Sequence, residues 1–90
     1  MKDLKATAEL MGSDDYKERF VAEYLQLKIR YEKLKNFCNR IEAAEMTGKS
    51  APAHDCPFFL LREQQNTMGN YLSILEKRAI IEDIALPEIC

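Results

Sequence analysis

The 90-residue sequence has few residues that cross-link a chain or bind a metal: three cysteines and one histidine. Cys38, Cys56 and Cys90 are odd in number and far apart, so a disulfide framework is not predicted. His54 and Cys56 supply two potential ligands, whereas a structural zinc site uses about four. We therefore expect reduced cysteines, no metal and no cofactor.

Long hydrophobic runs are also missing. The longest apolar stretch lies around residues 57–61, far below the roughly 20 residues that cross a bilayer. No secretory-type segment begins the chain, so we expect a cytoplasmic protein with no membrane partner. With 47% hydrophobic residues and a net charge of −2, the composition favours one folded domain and excludes a multidomain enzyme. Its small core favours stabilisation by self-association.

Glycine and proline, three of each, divide the sequence into segments. Gly12 ends the first segment, residues 48–57 form a connector, and Pro87 ends the last segment. Because the segments between them are almost free of helix breakers, we predict an all-α fold. Its architecture is a short N-terminal helix followed by a long antiparallel helical hairpin. The single domain 1–90 divides into a short helix 1–12, a long helix 14–45, a connector 46–55 and a long helix 56–86.

The first long helix has several potential N-caps in Ser13, Asp14 and Asp15. Glu18 stands three residues after Asp15, which is the spacing of a capping box. Apolar residues then recur at steps of four and three, an a/d pattern that packs along a seam. The seam consists of Phe20, Tyr24, Leu27, Tyr31, Leu34, Cys38 and Ile41, and a second stripe of Val21, Leu25 and Ile29. The short helix has its apolar side at Leu4, Ala8 and Met11.

The second long helix is expected to begin with Asp55 or Cys56 as the cap and Pro57 in the first turn. Gly69 lies in its middle, as a tolerated defect or as the point of a close helix crossing. Its apolar face is wider than one neighbouring helix can cover, which indicates an oligomer. One stripe is Leu61, Met68, Leu72, Leu75 and Ala79, and the other is Leu60, Tyr71, Ile74 and Ile81.

Basic residues concentrate in the first long helix, where residues 28–40 contain five of them and one acid, Glu32. With Tyr31 and Phe37 between them, they could hold a phosphate-bearing ligand and stack its bases. They could also form a solvated helix face with pairs such as Glu32 with Asn36, or an ion-paired oligomer surface. A single short basic run in a net-negative chain argues against long nucleic acid as a partner. The five residues are Lys28, Arg30, Lys33, Lys35 and Arg40.

Catalytic motifs are lacking, since the sequence has no glycine-rich phosphate loop and no HExxH pattern. Cys56 near a helix N-terminus would favour a thiolate, but only His54 of the connector could assist it. We therefore predict a protein that is not an enzyme. Tyr16, in the first turn of the long helix, could stack on a base or pack against the N-terminal segment.

Two runs of residues, which together cover roughly residues 15 to 82, carry a resemblance to a known family. The first run is Tyr16-Lys-Glu-Arg19-Phe-Val-Ala-Glu23, Leu27, Arg30, Lys33-Leu34 and Phe37. The second is Cys56-Pro57, Leu60-Leu61, Gln64-Gln65, Met68, Tyr71, Ile74-Leu75 and Arg78. Their paired order resembles a family of small phage helical-hairpin proteins that includes anti-CBASS sponges. Such sponges bind the cyclic oligonucleotide messengers of bacterial immunity and hold them without cleaving them.

The resemblance implies a compact homohexamer with ligand pockets between protomers. It implies that Tyr16 stacks on a base and that a basic residue further along the helix meets a phosphate. The family's lysine falls at Arg30 here, with Lys33 as the next candidate, and Arg19 matches another basic position. Arginine keeps the charge but changes the donor geometry, which leaves the preferred ligand open.

The function expected from this resemblance is sequestration of cyclic dinucleotides and trinucleotides in the bacterial host cytoplasm, which blocks CBASS immunity. The alternative is a coiled-coil-like oligomeric scaffold or protein-interaction module with no nucleotide ligand, because the heptad seam supports it equally well.

Overall fold

A computed structural model describes residues 4–87 of the chain. These residues form three helices and no strand. They are α1 (Leu4–Met11), α2 (Tyr16–Thr47) and α3 (Phe58–Ile81). The predicted all-α class is confirmed. None of the three helices has both the length and the apolar character needed to cross a membrane. The first three residues of the predicted helix 1–12, and Cys90, lie outside the described residues.

Helix α2 begins at Tyr16 because polar side chains before it satisfy its free N–H groups. Asp15 is the N-cap, and its carboxylate accepts a hydrogen bond from the Lys17 N–H at 2.9 Å. The Ser13 hydroxyl accepts from the Asp15 N–H at 3.1 Å and donates to the Glu18 carboxylate. The predicted capping box is therefore closed through Ser13 rather than by Glu18 on the backbone of Asp15.

The predicted cap of the second long helix is wrong, because Pro57 itself is the N-cap of α3. Its carbonyl accepts hydrogen bonds from the N–H groups of Leu60 at 3.1 Å and Leu61 at 3.3 Å. No side chain caps this end. Proline fits the position because its ring fixes φ and it has no N–H of its own to satisfy.

The predicted end of the second long helix at residue 86 is also wrong, since α3 ends at Ile81. Asp83 adopts the left-handed conformation with φ 57°, and the Ile84 N–H donates back to the Ala79 carbonyl at 2.8 Å. These are the features of a Schellman turn. The same turn ends α2 at Gly48, with φ 71°. Asparagine and aspartate adopt this conformation less readily than glycine, so Asp83 is a weak signal of a helix end.

The core lies between α2 and α3, which run antiparallel, and α1 packs against α2. Phe20, Tyr24, Cys38 and Ile41 of the predicted seam are buried, and its other three members are half-buried. The predicted apolar side of α1 is wrong at Ala8 and Met11, which are exposed, whereas Thr7 is fully buried. The side chain of Leu4, its third predicted member, lies outside the part of the chain that the structure describes. The Gln26 side chain donates a hydrogen bond to the Thr7 hydroxyl at 2.9 Å, which offsets the cost of burying it.

The first stripe of α3 packs on α2, whereas the second faces outward, as an apolar face too wide for one neighbour requires. The rod-like chain measures 49 × 25 × 22 Å along its principal axes. Its exposed apolar residues on α3 are Phe59, Leu60, Tyr71, Ile74, Ile80 and Ile81.

Candidate functional site

Tyr16 is the first residue of α2 and its side chain is 47% exposed. Its hydroxyl donates a hydrogen bond at 3.2 Å to Oε1 of Glu82, the residue that follows α3. The tyrosine therefore joins the start of one long helix to the end of the other. Much of its ring is open to a ligand, while its hydroxyl is held by the protein.

Glu82 also pairs with Arg78, whose Nε donates to Oε2 at 2.8 Å. The guanidinium carbon of Arg78 lies 4.9 Å from the centre of the Phe20 ring, a cation–π contact. The hydrogen bond from Arg78 is the main cause that lowers the pKa of the Glu82 carboxyl, with further contributions from the Arg78 charge, Tyr16 and Lys17. The same hydrogen bond raises the pKa of Arg78. Both groups are thus charged at neutral pH.

Sequence reasoning missed Glu82 as a partner of Tyr16. Arg78 and Glu82 stand at the i,i+4 spacing of a helical ion pair, so their own contact was readable from the sequence. Their approach to Tyr16 depends on the register of the hairpin, which a helical pattern alone does not fix.

Arg19 lies on the same side of the first turns of α2 but is partly used by the protein. Its Nη1 donates to the carbonyl of Ser13 at 2.6 Å, which holds the chain before the helix. The side chain is exposed. Of the four predicted site residues, Tyr16 and Arg19 are the pair that one helix end brings together.

Arg30 and Lys33 are exposed and far from Tyr16 in the same chain. At 1.5 Å per residue, 14 and 17 residues of α2 separate them from Tyr16 by about 21 and about 25 Å. The ion pairs among the described residues involve other basic side chains, so neither Arg30 nor Lys33 has an acidic partner there. One protomer does not gather the predicted site.

The predicted partner of Glu32, Asn36, is wrong, whereas the predicted kind of contact, an i,i+4 pair on this helix face, is present. Glu32 instead pairs with Lys28 one turn earlier, at 3.3 Å. A carboxylate prefers the charged partner to the neutral amide. This pair removes Lys28 from the basic residues that are free to meet a ligand, but leaves Arg30 and Lys33.

A shallow cavity of about 330 Å³ opens beside the first turn of α2. Lys17, the neighbour of Tyr16, lines it together with Leu10, Val21 and the segment 83–85. Most of its wall is apolar, and its charged lining residues are Lys17, Glu18 and Asp83. A cavity of this size is at the lower end of the range for small-molecule pockets.

The connector shows a different use of His54 from the assisting role considered for it. Its Nδ1 donates to the backbone carbonyl of Cys56 at 2.6 Å, so this nitrogen is turned to the carbonyl and not to the thiol. The ring also contacts Phe37 edge-on, with centroids 6.2 Å apart. Within residues 4–87, no three acidic, histidine or cysteine side chains form a group that could hold a metal ion.

These features define a small helical-hairpin protein with an exposed, anchored tyrosine at one end. Along its longest helix lie basic residues that have no ion-pair partner within residues 4–87. The chain belongs to the Sequestin family, whose model matches residues 14–81. This is the family of phage anti-CBASS cyclic nucleotide sponges, so the resemblance found in the sequence is confirmed. The family name denotes a sequestering protein that binds a small ligand. No curated protein and no solved structure matches the chain significantly.

Proposed function

We propose that the protein sequesters cyclic dinucleotides and cyclic trinucleotides without cleaving them, and so blocks CBASS immunity in the cytoplasm of the phage's bacterial host. The observation that carries the proposal is the Sequestin match over residues 14–81. The protein acts by mass action, because each bound messenger is withdrawn from the effector that it would activate.

Tyr16 is the proposed base-stacking residue. Its exposed ring stands at the N-terminus of α2, where the helix dipole favours a phosphate nearby. Arg19 lies one turn further, with its guanidinium at the same end of the helix. Stacking and charge are the two means by which proteins bind short nucleotides.

Arg30 and Lys33 are the proposed phosphate-binding residues, and their distance from Tyr16 supports a pocket between protomers. About 21 Å along one helix separates Tyr16 from Arg30, which is further than a base lies from its own phosphate. The arginine that meets the ligand of one Tyr16 therefore comes from a neighbouring protomer. Charge-assisted hydrogen bonds from a guanidinium suit phosphate oxygens.

The exposed apolar stripe of α3 supplies the interfaces that this arrangement needs. Ile74, Ile80 and Ile81 are more than half exposed in the single chain. Apolar surface of this kind on a thin helical rod favours association with further copies. We propose a homohexamer as the assembled form.

Isothermal titration calorimetry with a panel of cyclic dinucleotides and trinucleotides tests the proposal. Binding to at least one member of the panel is expected, followed by recovery of the intact cyclic ligand when the complex is digested by protease. Absence of binding across the panel would contradict the proposal. Recovery of linear products would identify an enzyme instead.

Two variants connect the binding to the named residues. Tyr16→Ala and Arg30→Ala are expected to lose at least tenfold in affinity, because each removes one of the two recognition elements, while the oligomer persists. Glu63→Ala and Lys77→Ala are controls, since each removes an exposed charged side chain of α3 that lies outside the apolar stripe. Equal losses in the controls would show that the effect is not local to the site.

A second candidate function is an oligomeric scaffold or protein-interaction module, which the outward apolar stripe of α3 also favours. In that case Tyr16→Ala and Arg30→Ala leave the function intact. Changes at the half-buried seam residues Leu27 and Leu34 abolish it instead, because they disrupt the packing of α2.

A further inference from the structure

Four side chains form a chain of contacts around the first turn of α2. The Tyr16 hydroxyl contacts Glu82, Glu82 pairs with Arg78, and the Arg78 guanidinium lies over Phe20. Phe20 follows Tyr16 by four residues, so it lies on the same face one turn later. We call these four residues the tyrosine anchor. It joins two helix ends that are 66 residues apart in the sequence.

The position of Glu82 is fixed by the backbone as well as by its side-chain partners. The Glu82 N–H donates to the Arg78 carbonyl at 2.8 Å, and the turn at Asp83 brings Ile84 back into the core. The backbone of Glu82 is thus held by the Schellman turn, and its carboxylate is held by Arg78. An acceptor held in this way can fix the far end of an otherwise exposed tyrosine side chain.

We propose that Glu82 is a positioning residue that orients the Tyr16 ring for stacking on a ligand base. This inference rests on the proposed function and adds a residue to which no ligand contact is assigned. An exposed side chain that becomes immobile on binding loses rotamer freedom, which weakens the complex. Because the tyrosine anchor already restrains the Tyr16 side chain in the free protein, less rotamer freedom remains to be lost when the ligand binds.

Arg78 makes the carboxylate compatible with an anionic ligand. A bare carboxylate beside a phosphate-binding site would repel the phosphate. The ion pair with Arg78, at 2.8 Å, compensates the negative charge locally, and Lys17 on α2 adds to this effect. Glu82 can therefore hold the tyrosine hydroxyl without excluding the ligand from the neighbourhood.

The test compares Glu82→Ala, Glu82→Gln and Glu63→Ala in calorimetric titration with a cyclic dinucleotide that the wild-type protein binds. Glu82→Ala is expected to weaken binding about three- to tenfold, because the ring must be ordered on binding. Glu82→Gln keeps an oxygen that accepts from the Tyr16 hydroxyl, and we expect it to restore most of the affinity. Glu63→Ala is the control, since it removes an exposed glutamate from α3 and leaves the anchor intact.

A double-mutant cycle separates positioning from a general effect on folding. Tyr16→Phe removes the hydroxyl but keeps the ring, and we expect it to weaken binding as much as Glu82→Ala does. In the Tyr16→Phe background, Glu82→Ala should cause no further loss. The ring carbon signals of Tyr16 in NMR spectra should shift in Glu82→Ala and stay in place in Glu63→Ala. If Glu82→Ala does not fold, Tyr16→Phe still breaks the same contact.

Three outcomes would overturn the inference while leaving the proposed function standing: wild-type-like affinity of Glu82→Ala, wild-type-like affinity of Tyr16→Phe, or an undiminished effect of Glu82→Ala in the Tyr16→Phe background. Failure of the wild-type protein to bind any cyclic nucleotide is a different result. It would remove the proposed function, and the positioning role would be rejected with it.

Discussion

At the scale of single residues, Gly69 shows how a structure decides between two readings of one glycine. A Cβ atom built at this position would lie 3.2 Å from Cε1 of Tyr31 on α2. That separation is tighter than ordinary van der Waals contact, so the structure favours the close helix crossing over the tolerated defect. The sequence alone left the two readings even, because a helical glycine has the same local cost in both.

Substitution of Gly69 by alanine should therefore depend on Tyr31. In a helix, alanine is better than glycine by about 1 kcal/mol, but in the wild-type background the tyrosine ring must shift to make room. We therefore expect Gly69→Ala to raise the free energy of unfolding by much less than this value, or to lower it. In a Tyr31→Ala background the gain should approach about 1 kcal/mol. Urea unfolding at one protein concentration measures both, and equal effects in the two backgrounds would contradict the close crossing.

The lowered pKa of Glu82 predicts how stability responds to acid. Because the carboxyl has a lower pKa in the folded chain than in the unfolded chain, its contribution is complete above the unfolded value, near 4.5. That contribution is lost as the pH falls through the folded value. Glu82→Gln should thus be less stable than the wild type at pH 7, and the difference should shrink below about pH 4.5. Urea unfolding between pH 7 and pH 3 measures this, with Glu63→Gln as the control. A pH-independent difference would contradict it.

At the scale of helices, the beginnings and ends differ in how well the sequence predicts them. The cap of α2 was within the predicted set, because Asp15 is a good N-cap residue and Glu18 follows at the right spacing. The end of α2 was predicted at residue 45, two residues early, since α2 ends at Thr47. Gly48 follows with φ 71° and is the usual glycine signal of a helix end. The end of α3 was missed by five residues, because Asp83 adopts a conformation in which glycine is the usual residue.

The C-terminal turns of α2 and α3 give a matched pair of substitutions with opposite expected effects on stability. Gly48→Ala should destabilise the protein by about 1 kcal/mol, because the strain is conformational and no neighbour lies within 4 Å of the added Cβ. Asp83→Gly should stabilise it by up to about 1 kcal/mol, since glycine adopts positive φ without strain. Thermal and urea unfolding measure both. The same sign in both variants would show that backbone strain does not control these turns.

At the scale of the whole molecule, the sequence predicted the hairpin and the outward stripe of α3 but not how the site is assembled. Periodicity shows which side chains share a helix face, and it places Tyr16 and Arg30 on one helix. It does not fix the register between α2 and α3, and so the contact of Tyr16 with Glu82 was missed. The separation of Tyr16 from Arg30 becomes informative only once α2 is a continuous helix over both residues.

Complementation between two defective variants tests most directly that the ligand site combines residues of different protomers. Tyr16→Ala and Arg30→Ala chains, each unable to bind alone, are co-expressed with different tags, purified as mixed oligomers and titrated with a cyclic dinucleotide. For a site built from one tyrosine and one arginine of two neighbouring protomers, random mixing restores about a quarter of the wild-type sites. We predict this recovery, at wild-type affinity. Mixed oligomers that bind no ligand would contradict a site shared between protomers.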